Sequence, residues 1–152
     1  MAKRYVSGDA ETRRNMRELA KYVATPANQA ARKALRPMLA AAKRNAKESD
    51  ETGSLRKSLT VKRQTKSPKL HPRFRVGPDA GYVGPDGRKP VRYAHLINYG
   101  KVNSDGSQTP GTRFMDRAFE ENAQGTVDIF GKELGPAIEK RAAQLAAKQR
   151  KP

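Results

Sequence analysis

The chain has no cysteine, no tryptophan, only two histidines and few aromatic residues, 6 % in all. Without cysteine there are no disulfides and no thiolate metal sites. The two imidazoles, His71 and His95, have no His-x-x-x-His spacing, no nearby acidic cluster at ligand spacing and no nucleophile elbow. Catalytic and metal roles need convergent partners, so no catalytic, cofactor-binding or metal residue is expected, and the chain does not read as an enzyme. No run approaches the ~18 consecutive apolar residues that a membrane span needs. The first residues, Met1 to Val6, carry basic side chains but no apolar stretch behind them. They do not read as a signal peptide, and assembly in a cytoplasm is expected.

Apolar residues are also scarce, at 36 %. A chain of 152 residues favours one domain, here 1–152, but its core should be modest. Part of its apolar surface is expected to be buried against copies of itself or partners. Acid is the other shortage. Lys plus Arg is 32 against 15 for Asp plus Glu, a net charge of +17. A field of that sign attracts polyanions and acidic surfaces. The charges are segregated. Eight bases and no acid lie between Ser54 and Arg75: Arg56, Lys57, Lys62, Arg63, Lys66, Lys69, Arg73 and Arg75. Six acids and two bases lie between Asp116 and Glu139. Such polarity suits head-to-tail contacts between identical copies.

The patterning predicts an α+β fold, a small antiparallel sheet packed with a long N-terminal amphipathic helix and a long C-terminal helix. The helical arm is placed at 11–48. Glu11 to Ala24 reads as one helix, and Thr25-Pro26 as a cap with proline at the next first position. Ala31, Leu35, Met38, Leu39, Ala42 and Ala46 then form one face, opposite Arg32, Lys33, Arg36, Lys43, Arg44 and Lys47. Pro37 should kink this run. The centre, 55–100, is strand-rich. Leu59 and Val61 alternate with polar residues, as do Phe74 and Val76. If the two runs pair, Lys62, Arg73 and Arg75 share one face. Between them, 64–72 is a basic, proline-containing candidate arm.

Val76-Gly77-Pro78-Asp79 recurs as Val83-Gly84-Pro85-Asp86, two tight turns. This stretch lacks the spacing of a phosphate loop, and its prolines remove the N–H donors such a loop needs. Asp79 and Asp86 alone make a poor cation site. Val91 to Gly100 is apolar and fits a strand or a short helix. Lys101–Thr112 reads as a mobile polar loop, a candidate assembly loop through Lys101, Asn103, Asp105 and Gln108. The C-terminal helix, 113–148, begins behind a Thr112 cap. It carries an apolar stripe of Val127, Phe130, Leu134, Ile138, Ala142 and Leu145, which Gly131 and Gly135-Pro136 should bend.

Four of these segments together resemble a known family. Thr52-Gly53-Ser54-Leu55-Arg56-Lys57-Ser58-Leu59 is similar to a "TG-x-L-x-x-S-[IL]" element, and Val76-Gly77-Pro78 to a strand ending in a V-G-P-like turn. Tyr93-Ala94-His95-Leu96-Ile97-Asn98-Tyr99-Gly100 resembles "Y-A-x-x-[IV]-E-x-G", and Arg113-Phe114-Met115-Asp116-Arg117-Ala118 resembles "P-F-[LM]-x-P-A". These belong to the tail-component, tail-completion family of long-tailed bacteriophages, and the resemblance runs over roughly 28–148. Asn98 stands where that family usually has Glu. Arg113 stands near its first Pro, and Arg117 replaces its second. The resemblance implies a family-motif core of Gly53, Leu55, Tyr93, Ala94, Gly100 and Phe114.

It also implies a structural virion protein of the neck. Copies would form a homo-oligomeric ring, a hexamer or dodecamer, between the head connector and the tail tube. The implied partners are connector or stopper proteins and tail terminator or tail tube proteins. No cofactor and no membrane are implied. The eight bases from Arg56 to Arg75 are candidates for contact with a partner or with DNA in the channel. Phe74 is their single aromatic neighbour, which fits sequence-independent phosphate contact rather than base stacking. Two alternatives stand beside this: a sequence-independent nucleic-acid-binding basic protein, and a tail terminator.

Overall fold

The computed structural model describes residues 9–66 and 72–149. The architecture is α+β, as expected. Helix α1 spans Asp9–Ala34 and α2 spans Arg36–Asn45. Both carry apolar residues on one face and bases on the other. The break between them is not at Thr25-Pro26, which lies inside α1, so Thr25 is not a cap. Pro26 offers no N–H to the carbonyl four residues back, yet the helix runs on through it. The break falls at Leu35, because Pro37 sits in the first turn of α2, where a missing N–H costs nothing. Continuity is kept by Leu35 N–H donating to Ala31 O (3.1 Å) and Leu39 N–H donating to Leu35 O (3.0 Å).

After a turn, Ser54–Ser58 forms a short helix, α3, that the alternation of Leu59 and Val61 does not announce. Strands β1 (Leu59–Arg63) and β2 (Phe74–Pro78) pair antiparallel, with Val61 opposite Val76 and Lys62 opposite Arg75. The apolar run near Tyr93 resolves as helix α4, Ala94–Tyr99. The segment 101–112, expected as an irregular loop, holds most of a hairpin. Strands β3 (Gly100–Val102) and β4 (Gln108–Pro110) pair with Val102 opposite Gln108. Its turn is closed by Asn103 N–H donating to Ser107 O (2.8 Å). Helix α5 then runs unbroken from Phe114 to Gln149, through Gly131, Gly135 and Pro136.

The core is alanine-rich. Ala41 and Ala42 of α2 and Ala46 at its end meet Leu55, Leu59, Ala94, Phe114 and Ala118. Alanine allows α2 and α5 to approach closely, while Leu55, Leu59 and Phe114 supply most of the buried area. Each of these larger side chains stabilises by ~1.5–3 kcal/mol when fully buried. Beyond this core α1 packs along α5 in the opposite direction. The Arg141 guanidinium lies 5.9 Å from the Tyr22 ring centroid. Lys33 pairs with Glu133 at 2.6 Å, and Arg44 with Glu121 at 2.8 Å. Successive partners on α1 and α2 are about three turns apart and retreat along α5, which fixes an antiparallel register.

The stripe expected on α5 is only partly covered. Phe130 and Leu134 are half-buried, but Val127 is 64 % exposed and Ile138 and Ala142 also face outward. The side chain of Leu145 lies outside the described set. The packed face runs instead through Ala118, Asn122, Thr126, Phe130, Leu134 and Ala137. It is set by where α1 lies rather than by the most apolar line.

Candidate functional site

The Thr52-to-Leu59 motif is a capped turn built around a buried carboxylate. Asp50 is 6 % exposed. Its Oδ1 accepts from Leu55 N–H (3.1 Å), and its Oδ2 accepts from Arg56 N–H (2.7 Å) and Arg56 Nε (3.2 Å). Gly53 holds a left-handed φ of 71°, which glycine adopts without strain. Thr52 Oγ1 donates to Ser54 Oγ and accepts from Ser54 N–H. The serines are small for a reason. A Cβ at Gly84 would lie 2.7 Å from Ser54 Oγ, so the second Gly-Pro-Asp turn packs directly on α3. Ser58 Oγ returns a hydrogen bond to Leu55 O (2.7 Å). Burial pushes the Tyr93 phenol upward, and the Asp50 charge adds to it.

Asp50 was missed by sequence reasoning, although an acidic residue just ahead of a helix start is a capping signal. Asn98, in sequence a departure from the family pattern, organises the start of α5. It is buried, and its Oδ1 accepts the Met115 N–H at 2.9 Å. Its Nδ2 points to Asp116 Oδ2 at 3.5 Å. The expected Thr112 cap is replaced, because Thr112 Oγ1 instead donates to Ile97 O (3.2 Å). Arg113 carries a positive φ of 52° and donates its N–H to Asn98 O (2.9 Å).

The hairpin is rooted in this junction. A Cβ at Gly100 would meet Thr109 O at 2.5 Å, and one at Gly111 would meet Asn98 O at 2.3 Å. Both glycines are needed for that close approach. Beneath the hairpin lies an apolar recess lined by Tyr93, Leu96, Ile97, Thr109 and Pro110. Lys101 and Gln108 are exposed. Asn103 Nδ2 donates to Ser107 Oγ (2.8 Å), and Asp105 Oδ1 accepts from Ser107 N–H (2.9 Å). The Ser107 hydroxyl, which donates to Asp105 Oδ1 at 2.6 Å, and then the Ser107 N–H hold the Asp105 carboxyl below its ordinary value. Asn103 and Asp105 therefore shape the turn, while Gln108 is exposed and Lys101, also exposed, edges the recess.

The bases from Arg56 to Arg75 do not form one surface. Arg56 and Lys57 lie on α3, beside Lys43 and Arg44 of α2 and Lys47 just past its end. Lys62 and Arg75 face each other across the sheet, with Arg73 on the same side as Arg75. Lys62 is held by Asp79 at 2.6 Å, an interaction that lowers the Asp79 carboxyl. Arg63 is half-buried, and Lys66 is exposed at the end of the first described stretch. Lys69 and His71, with most of the candidate arm, lie outside the described residues. Phe74 is engaged by the Arg32 guanidinium of α1, 5.7 Å from its ring centroid. The acids of α5 are also partly used at home, since Glu121 and Glu133 pair with α2 and α1.

Of the family-motif residues, Gly53, Leu55, Ala94 and Phe114 are buried, while Tyr93 and Gly100 are half-buried. His95 is exposed on α4. Among the described residues no group of three His, Cys, Asp or Glu side chains is placed to hold a metal ion. No helix among them is long and apolar enough to cross a membrane.

The family model described as "Bacteriophage HK97-gp10, putative tail-component" matches residues 10–100. That stretch holds α1 to α4 and three of the four motif segments. The fourth, Arg113 to Ala118, lies beyond it. No curated protein and no solved structure gave a match.

Proposed function

Since the chain belongs to the HK97-gp10-like tail-component family of tailed bacteriophages, we propose that it completes the head-proximal end of the tail as one subunit of a ring. The ring, of six or twelve copies, would sit in the neck between the head connector or stopper and the tail terminator or tail tube. Its role there is structural rather than catalytic. The observation that carries this reading is where the large apolar side chains lie. Tyr99, Val102, Phe119 and Val127 are each more than half exposed, in a molecule whose own core is built mostly on alanine. These four occupy two places, the hairpin with its root and an outer flank of α5, while Met16, 68 % exposed, lies on α1. Two different apolar surfaces on one subunit suit a heterologous contact, in which one surface of each copy meets the other surface of the next and a ring closes.

The test combines sedimentation with particle analysis. Replacing Lys101 to Pro110 by a short glycine-serine link should leave the helices folded and block joining of heads to tails. Normal infectious particles carrying that change would overturn the assembly role of the hairpin. A second reading is favoured by the net charge of +17: a free, sequence-independent nucleic-acid binder. A monomer absent from virions that holds DNA tightly in physiological salt would establish it instead. A terminator role differs only in position, and labelling the subunit in intact particles separates the two.

A further inference from the structure

Positive charge on the described surface gathers at a concavity where the end of α2 meets α3. Its walls are Lys43, Arg44, Lys47, Arg56 and Lys57, and its floor is Gly53. Two of the five bases are held by carboxylates, Arg44 by Glu121 and Arg56 by Asp50. These pairs position the walls. Lys43, Lys47 and Lys57 have no ion-pair partner among the described residues. Lys43, in the last turn of α2, and Lys47, just past its end, both line the concavity. The acids of the adjoining turn, Glu48 and Glu51, are exposed and do not line the concavity.

We infer that this α2–α3 concavity is the surface that holds the backbone phosphates of duplex DNA. The inference deepens the tail-end reading and rests on it for its setting, DNA passing the ring. Three features of the lining select the ligand. Every side chain is cationic and none is apolar, whereas the centre of a protein–protein contact is depleted of charge and of lysine in particular. Protein–DNA interfaces are much more positive. No aromatic ring lines the site, so bases have nothing to stack on, as single strands would require. No Asn or Gln lines it, so one of the usual readers of base edges is missing and the contact carries no sequence preference of that kind. Lysine ammonium groups meet phosphates as point charges. Two other basic surfaces are weaker: the outer face of the β1–β2 sheet, because Asp79 already neutralises Lys62, and the groove of Arg13, Arg14, Arg17 and Lys21 on α1, because Glu18 lies in its lining.

The test uses the full chain and a labelled random-sequence duplex, with affinity measured from about 50 to 200 mM salt. Each phosphate contact contributes about −0.9 to the slope of log K against log salt. The variant K43Q/K47Q/K57Q is expected to make that slope shallower by about 2–3, whereas R73Q/R75Q leaves it near the parent value. Unchanged thermal midpoints show that both variants are folded. The inference is overturned if the parent does not bind at the lowest salt, or if the sheet variant loses the slope and the α2–α3 variant keeps it. It is also overturned if a polyglutamate of equal charge displaces the duplex as well as unlabelled duplex does. Blotting of purified particles reads the tail-end role separately. A chain absent from particles that still shows the lysine-dependent slope would sink the neck reading and leave the phosphate surface standing.

Discussion

Asp50 carries three hydrogen bonds from one buried carboxylate, and it fixes the turn on which the Gly53–Leu55 segment depends. Replacing it with alanine leaves the Leu55 N–H buried without an acceptor and should cost about 2–3 kcal/mol in urea unfolding. Asp50→Asn, which keeps an acceptor, should lose less. Leu55 and Phe114 are 0 % and 1 % exposed, and each truncated to alanine should destabilise by about 2–5 kcal/mol. An unchanged thermal midpoint in either would remove it from the core. Asp79 answers to pH. Its carboxyl is depressed below 3.8, chiefly by the Lys62 hydrogen bond and then by Gly81 N–H. A depressed acid contributes stability above its unfolded value and loses it as pH falls through the folded one. Asp79→Asn should therefore narrow the gap between neutral and acid stability, and an identical acid profile would show the pair to be idle. The sequence made the core positions legible because leucine and phenylalanine in a polar chain have few other uses. It did not reveal Asn98, because a side-chain amide says nothing of the N–H it will meet. The structure supplies the reason for both departures there. A carboxylate at 98 would face Asp116, and proline at 113 could neither hold a φ of 52° nor donate the N–H that Asn98 O accepts.

At the scale of elements, the helices follow from periodicity, but their ends follow from proline chemistry that pattern alone reads ambiguously. Pro26 and Pro37 look alike in sequence. Only Pro37 marks a boundary, because α2 can begin there at no cost while α1 is held along its length by α5. The hairpin was illegible for a related reason. Strands of three residues each, joined by a turn of Asn, Ser, Asp and Gly, are too short to show an alternation, and their pairing is set by the close approach of Gly100 and Gly111. The cross-helix ion pairs give register rather than strength. Both Lys33 and Glu133 are more than a third exposed, as are Arg44 and Glu121. A double-mutant cycle on Lys33→Gln and Glu133→Gln should return a coupling energy under about 1 kcal/mol. A markedly larger value would mean that solvent screens this pair far less than its exposure implies.

For the whole molecule, the sequence foretold a modest core, and the exposed Tyr99, Val102, Phe119 and Val127 fit a chain short of apolar residues. Which side chains stay outside depended on the position of α1 along α5, a tertiary choice that the Val127-to-Leu145 stripe did not encode. The variant Phe119→Ser/Val127→Ser should keep monomer stability within about 0.5 kcal/mol, as exposed positions do. In sedimentation it should shift the chain toward monomer. A parent-like distribution of sizes would clear the α5 flank of any part in self-association.

The antiparallel run of α1 against α5 has a practical corollary. Tyr22 lies beside Arg141, so the first turns of α1 and the last turns of α5 share one pole, and the hairpin junction at Asn98 and Phe114 occupies the other. The molecule is thus a compass needle with a distinguishable north and south. A density tag grafted beyond Gln149 would flag the southern tip without touching the northern one, and one image of a tagged particle would reveal which way each needle points along the tail.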